Sequence, residues 1–196
     1  MKWKPLILAV MCAWSSSAFA GLDPDRDSMG LYFDPNGNQN ALTRQTPCTI
    51  ATYLVLMNPL GSTDAFECTV TRTGATSYLF STTYPVPVID VDSTERGFAV
   101  GAVSPFPAVG NAVVLCVMNI IISSSGPLEF RLGPATIPTL PGGRPVVGGP
   151  LGGGNSGVRL CGVASGDVRY PVAVVNGGAP VGAETATFGD VKSLFR

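Results

Sequence analysis

Histidine is absent from the 196-residue sequence. Without it, Ser-His-Asp and Cys-His nucleophile systems cannot form within the chain, and His-built zinc hydrolase sites are excluded too. The segment Gly154-Asn155-Ser156-Gly157 resembles the serine environment of some secreted proteases, but no base accompanies it. Charge is scarce, at 13% of residues, which argues against a long solvated helix bundle. The net charge of −1 provides no basic face for nucleic acid. Lysine occurs only at Lys2, Lys4 and Lys192, so a Ser/Lys dyad would rest on Lys192 alone once the N-terminal segment is removed. No apolar run reaches the ~18 residues that a membrane helix requires. Two-carboxylate glycosidase chemistry needs only acids. The 13 Asp and Glu residues lie mostly in turn-like segments, however, and no pair stands out. The chain reads as non-enzymatic, with no cofactor.

Glycine and proline are plentiful, 24 and 17 residues. They call for many turns between short strands. The length suits one β domain with a real core. Residues 1–20 have the form of a secretion signal. Lys2 and Lys4 make the positive start, Pro5 to Trp14 the apolar centre, and Ala18-Phe19-Ala20 the small-residue cleavage site. Residues 21–196 would then form a single domain carrying a Pro/Gly-rich loop at 137–157. It would be secreted, periplasmic or at the cell surface, without a transmembrane segment.

The chain is organised around Gly97 to Pro134, read as strand, turn, long strand, turn, strand. Its centre, Ala112 to Ile122, has Asn119 as its single polar residue. Six of its residues are β-branched, which favours a pleated surface over a helix. An all-apolar strand calls for cover on both faces. Phe98, Val100 and Ala102 alternate on the preceding strand. Leu128, Phe130 and Leu132 alternate with Glu129 and Arg131 on the following one, which puts the charges in water. Further strands are expected at Ser28–Phe33, Thr49–Met57, Phe66–Thr71, Tyr78–Tyr84, Val86–Val91, Val158–Val163 and Val168–Val175. The prolines around Val86 to Val91 mark an edge strand. Asn36-Gly37 marks a turn. Residues 183–188 are read as a further strand and 189–196 as an amphipathic tail. The fold class is an all-β antiparallel sandwich, immunoglobulin-like or cohesin-like, of about seven to ten strands.

Three sets of residues are candidates for chemistry. Cys48, Cys68, Cys116 and Cys161 remain after signal removal, and an even number in a secreted chain reads as two disulfides. The nearest-neighbour pairing is preferred among three connectivities. Asp23, Asp25 and Asp27 alternate as the oxygen ligands of a calcium loop do. Ser28 stands where the turn glycine belongs, so a solvated lead-in is the first reading and calcium the alternative. Tyr84 and Phe106 lie in Pro-rich loops, where aromatics can act as platforms for sugar rings. Most aromatics in such a chain are core or ordinary surface. Both tryptophans, Trp3 and Trp14, fall within the first 20 residues.

Several phrases resemble a family of uncharacterised secreted bacterial single-domain β-sandwich proteins. They are Ser28-Met29-Gly30-Leu31-Tyr32-Phe33-Asp34, Tyr53-Leu54-Val55-Leu56-Met57-Asn58-Pro59, Phe98-Ala99-Val100-Gly101, Leu132-Gly133-Pro134 and the ending from Phe188 to Arg196. The family ending reads Trp/Phe-Gly-x-Val-Lys-Ala/Ser-Leu-Tyr/Phe-Arg, with Phe188 at the aromatic position here. The resemblance implies an exported sandwich and brings no catalytic residues. A looser likeness to cohesin-type sandwiches implies a binding surface. The expected function is therefore a structural or protein-binding module of the bacterial cell envelope, partnered by an envelope protein or a polysaccharide. The alternatives are a carbohydrate-binding module and a strand-exchanging assembly partner.

Overall fold

The computed structural model describes residues 23–92, 94–151, 156–178 and 180. The expected signal at residues 1–20, the strand at 183–188 and the tail at 189–196 lie outside them.

Fourteen strands are formed. They are β1 (Ser28–Tyr32), β2 (Ala41–Leu42), β3 (Cys48–Met57), β4 (Ala65–Gly74), β5 (Ser77–Thr83), β6 (Val88–Asp90) and β7 (Gly97–Ala102). They continue with β8 (Ala108–Val109), β9 (Ala112–Ile122), β10 (Leu128–Gly133), β11 (Val146–Pro150), β12 (Ser156–Leu160), β13 (Gly162–Val163) and β14 (Ala173–Val175). A six-stranded sheet has the order β13-β1-β3-β9-β5, with β8 on β9. An eight-stranded sheet has the order β12-β11-β4-β10-β14-β2, with β7 on β4 and β6 on β7. The two form a β-sandwich, the architecture that all-β chains rich in turns adopt. The count exceeds seven to ten because short two- and three-residue strands close the margins. The pairing is mixed rather than purely antiparallel, since β1 pairs with β13 and β14 with β2 in parallel.

The inward positions follow the alternation. Phe98 and Val100 of β7 are buried, as are Leu128, Phe130 and Leu132 of β10. Glu129 and Arg131 stay half-exposed and pair at 2.6 Å. β6 pairs only with β7, as the flanking Pro85 and Pro87 suggest for an edge. Val158 to Val163 is not one strand. β12 pairs with β11 in one sheet, and after Cys161 the chain crosses to pair with β1 in the other.

β9 spans the expected residues and lies between β3 and β5. The register against β3 shifts at Leu54/Val55, so Leu115 is the extra residue on β9. This bulge places both Leu115 and Cys116 in the core, breaking strict alternation. Cover on both faces is found only at one end, where Tyr32, Val55, Met57 and Ala112 form a small second cluster. Over the remaining length the outer residues Val117, Asn119 and Ile121 are half-exposed. The expected second cover is missing there. Among the described residues, no helix is long and apolar enough to cross a membrane.

The four cysteines are free thiols, which overturns the two expected disulfides. For the preferred Cys48–Cys68 pair the topology supplies the reason. Cys48 lies opposite Ile122, which also faces Ser77, just after the Gly74 end of β4. Cys68 is six residues back along that strand, about 20 Å at the strand rise. A disulfide spans Cα atoms only ~4.4–6.8 Å apart. Burial raises the thiol of Cys161 to about 12 and pushes Cys68 and Cys116 up as well. Thiols held protonated in this way are inert.

Candidate functional site

The proposed sugar platform is not assembled. Phe106 is 3% exposed and packs edge-on against Phe66, with ring centroids 5.8 Å apart. Its N–H donates to the Thr63 carbonyl, which tucks the Pro-rich loop inward. Tyr84 is half-buried against the core, and its hydroxyl donates to Asp90 at 2.9 Å.

The aspartate series does not converge on a metal. Among the described residues, no three acid, cysteine or histidine side chains come together as a metal site. Asp27 is instead the buried partner of Arg159. Its Oδ2 accepts from Nε at 2.5 Å and its Oδ1 from an Nη nitrogen at 3.0 Å. Oδ1 also accepts the Leu60 N–H at 2.9 Å. The Asp27 backbone bonds Asn58 and Gly162, so this one residue ties β1 to the end of β3 and the start of β13. Asp25 is exposed.

Asp23 is buried with one oxygen, Oδ1, accepting the Asp25 N–H at 2.9 Å and the other, Oδ2, without a partner. Burial raises its carboxyl above the ordinary carboxylate range, while the hydrogen bond from the Asp25 N–H opposes the shift. A raised acid stabilises the fold when protonated and loses that contribution as pH rises through its folded value. Asp23→Asn keeps an acceptor oxygen and removes the charge. The variant is expected to melt higher than the parent at pH 7. The gap should close below the ordinary carboxylate value of about 3.9. Thermal melts at both pH values check this, and an equal gap at both would refute it.

Several other acids are also engaged. Asp90 accepts from Tyr84, Asp92 and Ala99. Asp92 caps Thr94, and Glu67 takes the Thr139 N–H and hydroxyl. Glu95 is held below the usual carboxylate range by its hydrogen bond from Arg72 and by that residue's charge. β5 is an edge strand, but a bulge at Phe80 blunts it for strand addition.

Two open surfaces carry no charged side chain. The first is the outer face of the six-stranded sheet. Thr49, Ala51 and Tyr53 lie opposite Ile121, Asn119 and Val117, which lie opposite Tyr78, Ser81 and Thr83. None of the nine is charged. The second is a cleft of about 330 Å³ at the end of the sandwich, beneath the β8–β9 turn. Met57, Val109 and Ala112 form its apolar floor, and Asn36, Asn38 and Asn111 its rim. It adjoins a depression of about 410 Å³ that includes Arg26, Asn58 and Leu60.

The rim is built in advance. Asp34 accepts the Asn36 and Asn38 N–H groups, each at 2.8 Å, fixing the turn read at Asn36-Gly37. Phe33 N–H closes the loop on Gln39. Gly110 has φ +60 and opens a two-residue hairpin turn, while the Asn58 N–H holds the Asn111 carbonyl at 2.7 Å. The backbone of all three asparagines is thus fixed, and their exposed side-chain amides make no hydrogen bond among the described residues. Sequence reading found the turn but not the rim. The chain matches no family model, and no curated protein is significantly similar to it.

Proposed function

We propose that this chain is a secreted or cell-surface, non-catalytic binding module that recognises its ligand at the asparagine-rimmed cleft. The observation that carries this reading is a ligand-sized cleft rimmed by three backbone-fixed asparagines over an apolar floor, polar groups around an apolar surface being the usual make-up of small-ligand sites. The engagement of most acids in structural contacts supports the non-catalytic part. The exported location rests on the sequence signal and on the resemblance to secreted sandwich proteins. An immunoglobulin-like or cohesin-like topology belongs to the same proposal and adds no functional argument by itself.

Co-sedimentation of the purified protein with bacterial envelope fragments tests the reading. The parent is expected to sediment, and the Asn38→Ala/Asn111→Ala variant to stay in solution with an unchanged melting temperature. Both residues are exposed, so the fold does not depend on them. No retention of the parent would end the binding-module reading. Equal retention of both proteins would move recognition away from the cleft.

A further inference from the structure

From the chemistry of the same cleft, and resting on the binding reading above, we infer that its ligand is a neutral saccharide. A side-chain amide carries an acceptor oxygen and a two-hydrogen donor on one plane. That pairing fits two neighbouring hydroxyls, one donating to the oxygen and one accepting from the nitrogen. Asn36, Asn38 and Asn111 present three such amides around one opening.

The floor supplies the other half of sugar recognition. A pyranose ring has a patch of C–H groups on each face. Val109, 71% exposed, provides aliphatic contact for that patch without an aromatic ring, and Met57 and Ala112 back it from the interior. Met57 and Ala112 are buried and pack with Tyr32 and Val55, so the floor does not collapse when the cleft is empty. No charged side chain lines the cleft itself, which gives an anion or a cation nothing to pair with there; Arg26 lies only in the adjoining depression. The volume of about 330 Å³ is at the small end of ligand pockets. It suits one or two sugar units, with further units running into the adjoining depression past Asn58 and Leu60.

The cleft differs from the surface expected from sequence. Recognition moves from aromatic loops at Tyr84 and Phe106 to amides presented by two tight turns. Fixed backbones lower the ordering cost of binding, because only the amide rotors remain to be held.

The experiment is a titration of the ¹⁵N-labelled purified protein with cellotetraose, maltotetraose and mannotetraose. At least one should shift the side-chain NH₂ signals of Asn36, Asn38 and Asn111 in a saturable way. Asn38→Ala and Asn111→Ala should each weaken that binding about tenfold, the loss expected for one or two net hydrogen bonds. Tyr78→Ala, on the outer sheet face, should leave it unchanged. Silence toward all three sugars would overturn the inference, as would binding that ignores both asparagine variants. A second arm separates this inference from the broader reading. Envelope fragments treated with periodate, which cleaves vicinal diols, should no longer retain the protein, whereas protease-treated fragments should. The reverse pattern would keep a binding module and replace its saccharide with a protein.

Discussion

Asp27→Ala is expected to cost about 3–5 kcal/mol of stability, the usual result of breaking a buried ion pair on one side. Side-chain exposure is 14% for Arg159 and 5% for Asp27, so the guanidinium left behind is poorly hydrated. Alanine also abandons the Leu60 N–H and occupies a left-handed position, φ +48, that aspartate tolerates better. For a domain of this size the melting temperature should fall by roughly 10 °C. Two further variants apportion the loss. Asp27→Asn retains an acceptor and the left-handed tolerance, so it isolates the charge. Adding Arg159→Met to Asp27→Asn removes the orphaned cation and should recover much of the deficit, because an apolar replacement of the whole pair is often near neutral. Chemical denaturation of the parent, Asp27→Asn, Arg159→Met and the double variant gives the coupling energy. A coupling near zero would show that Asp27 acts without the ion pair, through its Leu60 bond and its backbone bonds.

The second large effect is expected at Gly74, where the chain leaves β4 and crosses between sheets to β5. Its φ is +101, and an added Cβ would sit 2.2 Å from the Pro127 carbonyl oxygen. That oxygen accepts the Ala75 N–H at 2.8 Å, so it cannot retreat without breaking the crossover. Gly126, in the facing turn, has a similar φ of +114 but nothing within 4 Å of an added Cβ. The two alanine variants therefore separate strain from collision. Gly126→Ala should cost about 1–3 kcal/mol, the range for an unfavourable backbone conformation. Gly74→Ala should cost that amount and at least ~2 kcal/mol more, as overpacking against a fixed group does. Equal losses in denaturant titrations would mean that the crossover relaxes freely.

The long strands were legible because side-chain type and alternation act locally. β9 runs over the expected Ala112–Ile122, and β1, β3, β5, β7 and β10 fall within a few residues of expectation. What the sequence hid depends on distance. Periodicity shows that both faces of β9 are apolar, but not that only one is fully covered. The bulge at Leu115 and Cys116 depends on a register set by β3. An even cysteine count carries no information about bonding geometry: Cys68, Cys116 and Cys161 share one core cluster and are still free thiols. Phe106 looked exposed because prolines surround it, yet one backbone bond to Thr63 turns it inward. The cleft joins Asn36 and Asn38 to Asn111, far apart in sequence and brought together by two turns. A single turn is readable in the sequence, but a meeting of two is not.

The parallel pairings of β1 with β13 and β14 with β2 also set the order in which this molecule is completed. The Asp27–Arg159 clasp closes a separation of 132 residues. A chain emerging N-terminus first cannot finish the six-stranded sheet until β13 is out or the eight-stranded sheet until β14 is out, because β1 and β2 wait for these distant partners. Such distant closure slows folding. It also leaves the early part of the chain open until β13 and β14 have been made, which is the condition that the export proposed above would require.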